Sequence, residues 1–211
     1  MNNASSRINE QKYVHNTYSL IAKSFNNTRY AHWNKVKEFI DGLPSGALLA
    51  DSGCGNGKYA NYRQDITWFG NDACPELVEY AKHKSRHCIV ANCLNLPYRS
   101  GLFDAAISIA VLHHISDDAN RIAFIKELTR IVKPGGKILI TVWIREQPIK
   151  DGWQEMQKGQ GGQDNDFLIP WNNEYKRYYH LFTLEKVKQL CDGFKYTVEF
   201  ENNNWCIVIS S

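Results

Sequence analysis

Beyond a polar start over residues 1–12, Tyr13, Val14, Tyr18, Ile21, Ala22 and Phe25 recur at helical intervals and predict a short amphipathic helix. Trp33, Val36, Phe39, Ile40 and Leu43 form a second helical face, closed by Gly42, Pro44 and Gly46. The rhythm then changes. Residues 47–50 are a continuous apolar run, the pattern of a strand buried on both faces of a parallel sheet. Residues 66–70, 87–91, 103–109 and 138–143 read as further strands, with helical patterns around 75–84 and 118–132. Pro75 suits a first helical position, and Ser116 is the predicted cap of the later helix. Ile122, Ile125, Leu128, Ile131 and Val132 give that helix a buried stripe, which Lys133-Pro134-Gly135-Gly136 ends. A helix over about 184–191 and strands over 194–200 and 205–210, turning at Asn202-Asn203-Asn204, add an antiparallel hairpin to a mainly parallel sheet.

This βα alternation fits one main domain in 211 residues: a helical lead over 1–46 and a core over 47–211, with an insertion at about 145–182 whose tip is the Gly/Gln-rich segment 159–163. With no apolar run long enough for a bilayer and no basic flank before an apolar core at the start, the chain is expected to be soluble and cytoplasmic. Its net charge of +3 decides little. The distribution is more informative, since residues 1–40 carry six basic side chains against two acidic ones. Six cysteines lack metal-ligand or CxxC spacing, so reduced structural thiols are expected, with neither a metal site nor a disulfide framework.

The strongest chemical signal is Asp51-Ser52-Gly53-Cys54-Gly55-Asn56-Gly57-Lys58, a buried strand running into a turn whose glycines permit close backbone approach. It is not a dinucleotide fingerprint, because Lys58 stands where that motif needs a small residue; nor is it a phosphate loop. Asp72 ends the next strand, so both carboxylates fall at one sheet edge. Asp72 can accept two ribose hydroxyl hydrogen bonds or cap the helix at Pro75, and Asp51 can accept from an ammonium. Asn92, after the third strand, can pair with an adenine edge. These pieces resemble the class I S-adenosylmethionine-dependent methyltransferases. The resemblance implies a Rossmann-like α/β fold, with a seven-stranded, mainly parallel sheet flanked by helices and a C-terminal antiparallel hairpin. It places the cofactor at Asp51, Gly53, Gly55, Asp72 and Asn92, although Asn92 stands where that family usually has an acidic residue.

On the substrate side, His113 and His114 follow the fourth strand and cannot both point the same way; His114 is the candidate contact and His113 packs or caps. The long connection after the fifth strand carries Phe167-Leu168-Ile169-Pro170-Trp171 and Arg177-Tyr178-Tyr179-His180, whose aromatics suit base stacking or a lid over the core. Thr28-Arg29-Tyr30, residues 51–59, residues 108–116, and the LIPW and RYYHLF segments together resemble a narrower group: the eukaryotic tRNA methyltransferases that esterify the carboxymethyl group of the wobble uridine. That resemblance implies Arg29, His114, Arg177 and Tyr178 at the modified-uridine pocket, a tRNA anticodon stem-loop as substrate, and a small zinc-binding activator subunit as partner in a heterodimer. Any zinc would belong to that partner. The alternatives are a class I enzyme for a small-molecule or protein carboxylate, and a non-catalytic adaptor of the same fold.

Overall fold

The structure, a computed structural model, describes residues 4–28, 31–157 and 162–211. Helix α1 (Ala4–Glu10), a π-helical turn (Gln11–His15) and helix α2 (Asn16–Asn26) precede helix α3 (Asn34–Asp41). Strands β1 (Leu48–Ser52) and β2 (Thr67–Asp72), helix α4 (Pro75–Lys82), strands β3 (Cys88–Val90) and β4 (Phe103–Ile109), helix α5 (Asp118–Ile131) and strand β5 (Val132–Trp143) follow. After β6 (Gln154–Glu155), β7 (Asp166–Trp171) and β8 (Tyr175–His180) come helix α6 (Leu184–Leu190) and strands β9 (Lys195–Glu201) and β10 (Asn204–Ser210).

Neighbouring residues along each central strand face opposite layers, which is why the strands read as unbroken apolar runs. Ala50, Ala106, Ile138, Ile140 and Ile207 pack under α5 and α6, whereas Leu49, Ala105, Ile107, Leu139 and Cys206 pack under α3 and α4. Helix α5 buries Phe124, Ile125, Leu128 and Ile131, and each such side chain contributes about 1.5–3 kcal/mol of transfer free energy. The seven-stranded sheet has the order β3-β2-β1-β4-β5-β10-β9. Its first five strands are parallel, and β10 runs antiparallel to β5 and β9. The α/β class and the closing hairpin therefore agree with the sequence reading. Asn202 and Asn203 both have positive φ, as a two-residue hairpin turn of matching twist requires.

Three local details differ from expectation. The cap of α5 is Asp117, whose carboxylate accepts from the Asn120 N–H, while Ser116 instead donates its N–H and hydroxyl to Glu10. Lys133-Pro134-Gly135-Gly136 ends the helix but already belongs to β5, where pairing with β4 shifts register between Phe103 and Ala105. The long connection holds its own antiparallel sheet, β6-β7-β8. Of the segment assigned to its tip, residues 159–161 lie outside the described residues.

Strand β2 lies on one side of β1 and β4 on the other, so the order reverses at β1 and opens a crevice at the carboxyl ends of β1 and β4. The N-terminal helices close over it. Tyr18, Ala22 and Phe25 pack against Cys74 and Leu77. The Thr17 hydroxyl donates to the Lys176 carbonyl, and the Trp171 indole donates to Ser24. No helix among the described residues is long and apolar enough to cross a membrane.

Candidate active site

A cavity of about 450 Å³ occupies this crevice, within the usual range of ligand pockets, roughly 300–1,000 Å³. The glycine turn after β1 forms its floor. Gly53 adopts φ +77°, and a Cβ there would lie 2.2 Å from the Val111 side chain, so only glycine lets the turn pass. Gly55 also has positive φ, and its N–H donates to Asp72 Oδ2 at 2.8 Å. Asp72 Oδ1 accepts from the Cys74 N–H at 2.9 Å. Asp72 thus fixes both the turn and the entry to α4 while lining the cavity, and each carboxylate oxygen keeps a lone pair for a ligand. Its burial raises its pKa against the pull of those N–H groups. Asp51, buried at the end of β1, accepts from the Trp68 indole at 3.0 Å. Burial, with the neighbouring charge of Asp72 adding to it, pushes the Asp51 carboxyl up to about 7. Asn92 is exposed on the cavity rim and accepts the Leu94 N–H at 2.9 Å, which leaves its amide N–H₂ for a ligand.

Polar aromatic groups build the other end. His114 Nδ1 lies 2.7 Å from the Tyr178 carbonyl, which only accepts, so Nδ1 carries the proton. Nε2 is then an acceptor, and Tyr18 donates its hydroxyl to it at 2.8 Å. Burial, reinforced by the charge of Arg177, holds the His114 pKa down to about 3, so the ring is neutral. Behind Tyr18 lies Arg177, with its guanidinium 4.8 Å from the Trp171 ring centre and 5.1 Å from that of Tyr179. Its polar neighbours are the Tyr18 and Tyr179 hydroxyls. Arg177 is 5% exposed, and its Nε and Nη1 have no hydrogen-bond partner among the described residues.

The structure brings Asp51, Gly53, Gly55, Asp72, Asn92 and His114 onto one cavity and sets Arg177 in the layer behind its wall. Tyr178 differs from the sequence reading. Its side chain is fully buried, donates to Asp166 Oδ1 at 2.8 Å and accepts from Arg121 at 3.0 Å; only its carbonyl reaches the site, through His114. Tyr179, one of the aromatics suited to stacking, lines the cavity, as does Tyr18, which the sequence marks only as part of a helical face. Arg29 and Tyr30 lie outside the described residues.

Three imidazoles sit here in forms that resist protonation: His113 well below its ordinary value, His114 near 3 and His180 near 4, each mainly through burial. Their folded pKa values are depressed, so the stability they confer is present above about pH 6.5 and is lost as pH falls below it. Asp51 and Asp72 act in the opposite sense, because raised carboxyl pKa values make the folded chain take up protons first. The three imidazoles outnumber the two carboxyls, so the unfolded chain binds more protons as pH falls and the folded state loses stability. Urea unfolding between pH 6 and 5 is expected to show that decline. A flat or rising profile would contradict neutral buried imidazoles.

Relatives of known name decide the family. A methyltransferase domain family matches residues 50–140. A Schizosaccharomyces pombe protein named tRNA (carboxymethyluridine(34)-5-O)-methyltransferase is 33% identical, the match covering 94% of this chain and 96% of that protein. This chain belongs to that family. An Arabidopsis thaliana protein of the same name is 41% identical over 85% of this chain but only 45% of its own length, so the chain spans about half of that relative. Among solved structures, a chain from the complex between the Haloferax volcanii Trm112 methyltransferase activator and a methyltransferase superposes with a TM-score of 0.65. It is 15% identical, covering 92% of this chain and 94% of that one, and shares the fold.

Proposed function

We propose that this chain transfers the methyl group of S-adenosylmethionine to the carboxylate of 5-carboxymethyluridine at wobble position 34 of tRNA, forming 5-methoxycarbonylmethyluridine. The observation that carries this reading is Arg177. A nearly sealed cation with two nitrogens lacking acceptors among the described residues is costly, and buried charges are ordinarily paired. A substrate carboxylate that parts the Tyr18 and Tyr179 hydroxyls from the cavity side would be the partner these nitrogens lack.

The residues at the other end suit the cofactor. Gly53 and Gly55 bring backbone to the cavity wall, Asp72 offers free lone pairs to a ribose diol, and Asp51 complements an ammonium. Asn92 presents its amide to an adenine edge. Bound there, S-adenosylmethionine supplies an electrophilic sulfonium methyl: as the bond to the carboxylate oxygen forms, the S–CH₃ bond breaks and its electron pair stays on sulfur. With an ordinary pKa of about 4, the substrate carboxylate is already ionised at neutral pH, so no side chain needs to remove a proton. Positioning is the protein's task. Arg177 holds the carboxylate oxygen that does not attack, because a tight pair with the attacking oxygen would lower its nucleophilicity. Neutral His114, clamped by the Tyr178 carbonyl, restricts rotation of the group. Arg29 is assigned to the acidic side of the substrate by its place in the basic N-terminal segment.

In the same reading, the anticodon stem-loop approaches over the N-terminal helices, and a small zinc-binding activator subunit covers the edge strand β3, making a cytoplasmic heterodimer. Ile89 and Val90 are exposed on that edge, which among the described residues has no strand beyond it in the sheet. The test is radiolabelled methyl transfer to anticodon stem-loops bearing either 5-carboxymethyluridine or uridine at position 34, by the isolated chain and by the chain co-expressed with such a subunit. The expected result is label only in the carboxymethyl substrate, recovered as the methyl ester, with more transfer by the paired chain. Equal labelling of both stem-loops sinks the assignment, and full activity of the isolated chain removes the obligate partner.

A further inference from the structure

The glycine turn after β1 closes on Lys58, the residue that sets it apart from a dinucleotide fingerprint, where helix–strand packing needs a small side chain. Here the chain makes room for the lysine. His32 Nε2 donates to the Lys58 carbonyl at 3.0 Å and the Trp33 N–H to the Tyr59 hydroxyl at 3.2 Å, which fastens residues 32–33 along Lys58-Tyr59. The Lys58 ammonium lies 5.3 Å from the Trp33 ring centre and 5.0 Å from that of Tyr59, cation–π contacts that hold the head group in place. Trp33, Lys58 and Tyr59 all line the cavity. Among the described residues that do so, Lys58 is the one lysine or arginine, against three acids: Glu10, Asp51 and Asp72.

We propose that Lys58 reads the amino-acid end of the cofactor, pairing with the methionine carboxylate of S-adenosylmethionine while Asp51 takes the ammonium. This rests on the cofactor placement above, which puts that end beside Asp51. An amino-acid head group carries both charges on one carbon, so a pocket for it needs an anion and a cation close together. Asp51 and Lys58 stand at the two ends of one turn and feel each other: burial raises the Asp51 carboxyl, and the Lys58 charge works against that rise. Lysine suits the task as a compact charge on a flexible stem. Its two ring contacts remove part of the freedom that binding would otherwise cost. The substrate carboxylate belongs at the other end of the cavity, by Tyr18 and Tyr179, so two carboxylates are kept apart by two cations.

The experiment is titration calorimetry of the chain, purified with any subunit it requires, against S-adenosylmethionine and its decarboxylated form. The second ligand keeps the adenosine, the sulfonium and the amine and lacks only the carboxylate. Wild type is expected to bind the intact cofactor about 30-fold more tightly, the size of one hydrogen bond between charged groups. Lys58→Met keeps most of the stem and its contact with the two rings. The preference should then fall below about threefold, through weaker binding of S-adenosylmethionine and not through tighter binding of the other ligand. Lys58→Arg should restore much of it. An unchanged preference in Lys58→Met, or equal binding of both ligands by wild type, overturns the proposal. So does a parallel loss of both ligands with a lower melting temperature, which would make Lys58 a staple between the turn and residues 32–33. If wild type binds neither ligand, the cofactor placement itself has failed, which is a different outcome from a lost preference.

Discussion

Arg177→Met is expected to lower methyl transfer to the carboxymethyl substrate by about 10²–10³-fold while leaving the melting temperature unchanged or higher. The activity loss has the size found when one preorganised electrostatic contact to a reacting group is removed, about 3–4 kcal/mol. Stability should move the other way. Arg177 gains from its two ring faces, on the order of 0.5–2 kcal/mol for each cation–π contact. Against that stand two buried nitrogens without acceptors among the described residues, each costing about 1–3 kcal/mol, and the desolvation of the charge itself. Methionine keeps much of the volume and the contact with Trp171 and Tyr179, and it carries no charge to bury. Steady-state kinetics on the modified stem-loop and calorimetric melting measure the two quantities on the same sample. Parallel loss of both would mean that Arg177 holds the insertion together instead of reading a substrate.

Much of the sheet was legible because its strands are buried on both faces. Leu49 and Ala50, or Ala105 and Ala106, face opposite layers and are both apolar, so the run itself marks the strand. The cofactor end was legible for a related reason: the glycine turn and Asp72 are local features at strand ends, and parallel pairing of β1 with β2 brings them together. The substrate end was not. Strand β8 carries Tyr175-Lys176-Arg177-Tyr178-Tyr179-His180, polar and aromatic on both faces, and no apolar period marks it as a strand. Without the strand there is no alternation to separate Tyr178 and His180, which turn together to Asp166, from Arg177 and Tyr179, which stack beside each other. Tyr178, which the resemblance implies at the pocket, and Tyr179, one of the stacking aromatics, are therefore told apart only once the alternation of β8 is known. Tyr18 was hidden differently. It fits the buried stripe of an amphipathic helix, and only docking of α2 over the crevice shows that this stripe also faces a cavity.

Asp166 ties these features to the core. Its Oδ1 accepts from Tyr178 and from His180 at 2.8 and 2.7 Å, and Arg121 bridges Tyr178 to the Ile115 carbonyl at the end of the His114 turn. The insertion and the loop after β4 are thereby held as one wall, so the Tyr178 carbonyl can fix the His114 proton.

At the cofactor end, Asp72→Asn is expected to weaken binding of S-adenosylmethionine and S-adenosylhomocysteine at least a hundredfold, about 2.7 kcal/mol, with little change in melting temperature. Asp72 holds two backbone N–H groups, one on each oxygen, and has one lone pair to spare on each. An amide must turn its N–H₂ toward either Gly55 or Cys74, placing donor against donor, and it presents a ribose diol with one acceptor where there were two. In the unliganded protein this loss is offset, because the raised pKa of Asp72 means that its burial costs more than its N–H partners return, and asparagine carries no charge. The turn is also held by the Gly53 and Cys54 N–H groups, which donate to the Asn71 carbonyl, and by close packing at Gly57. The fold should therefore survive while the ligand is lost. Titration calorimetry with both ligands, alongside melting curves, separates the two effects; wild-type affinity in the variant would remove Asp72 from the cofactor site.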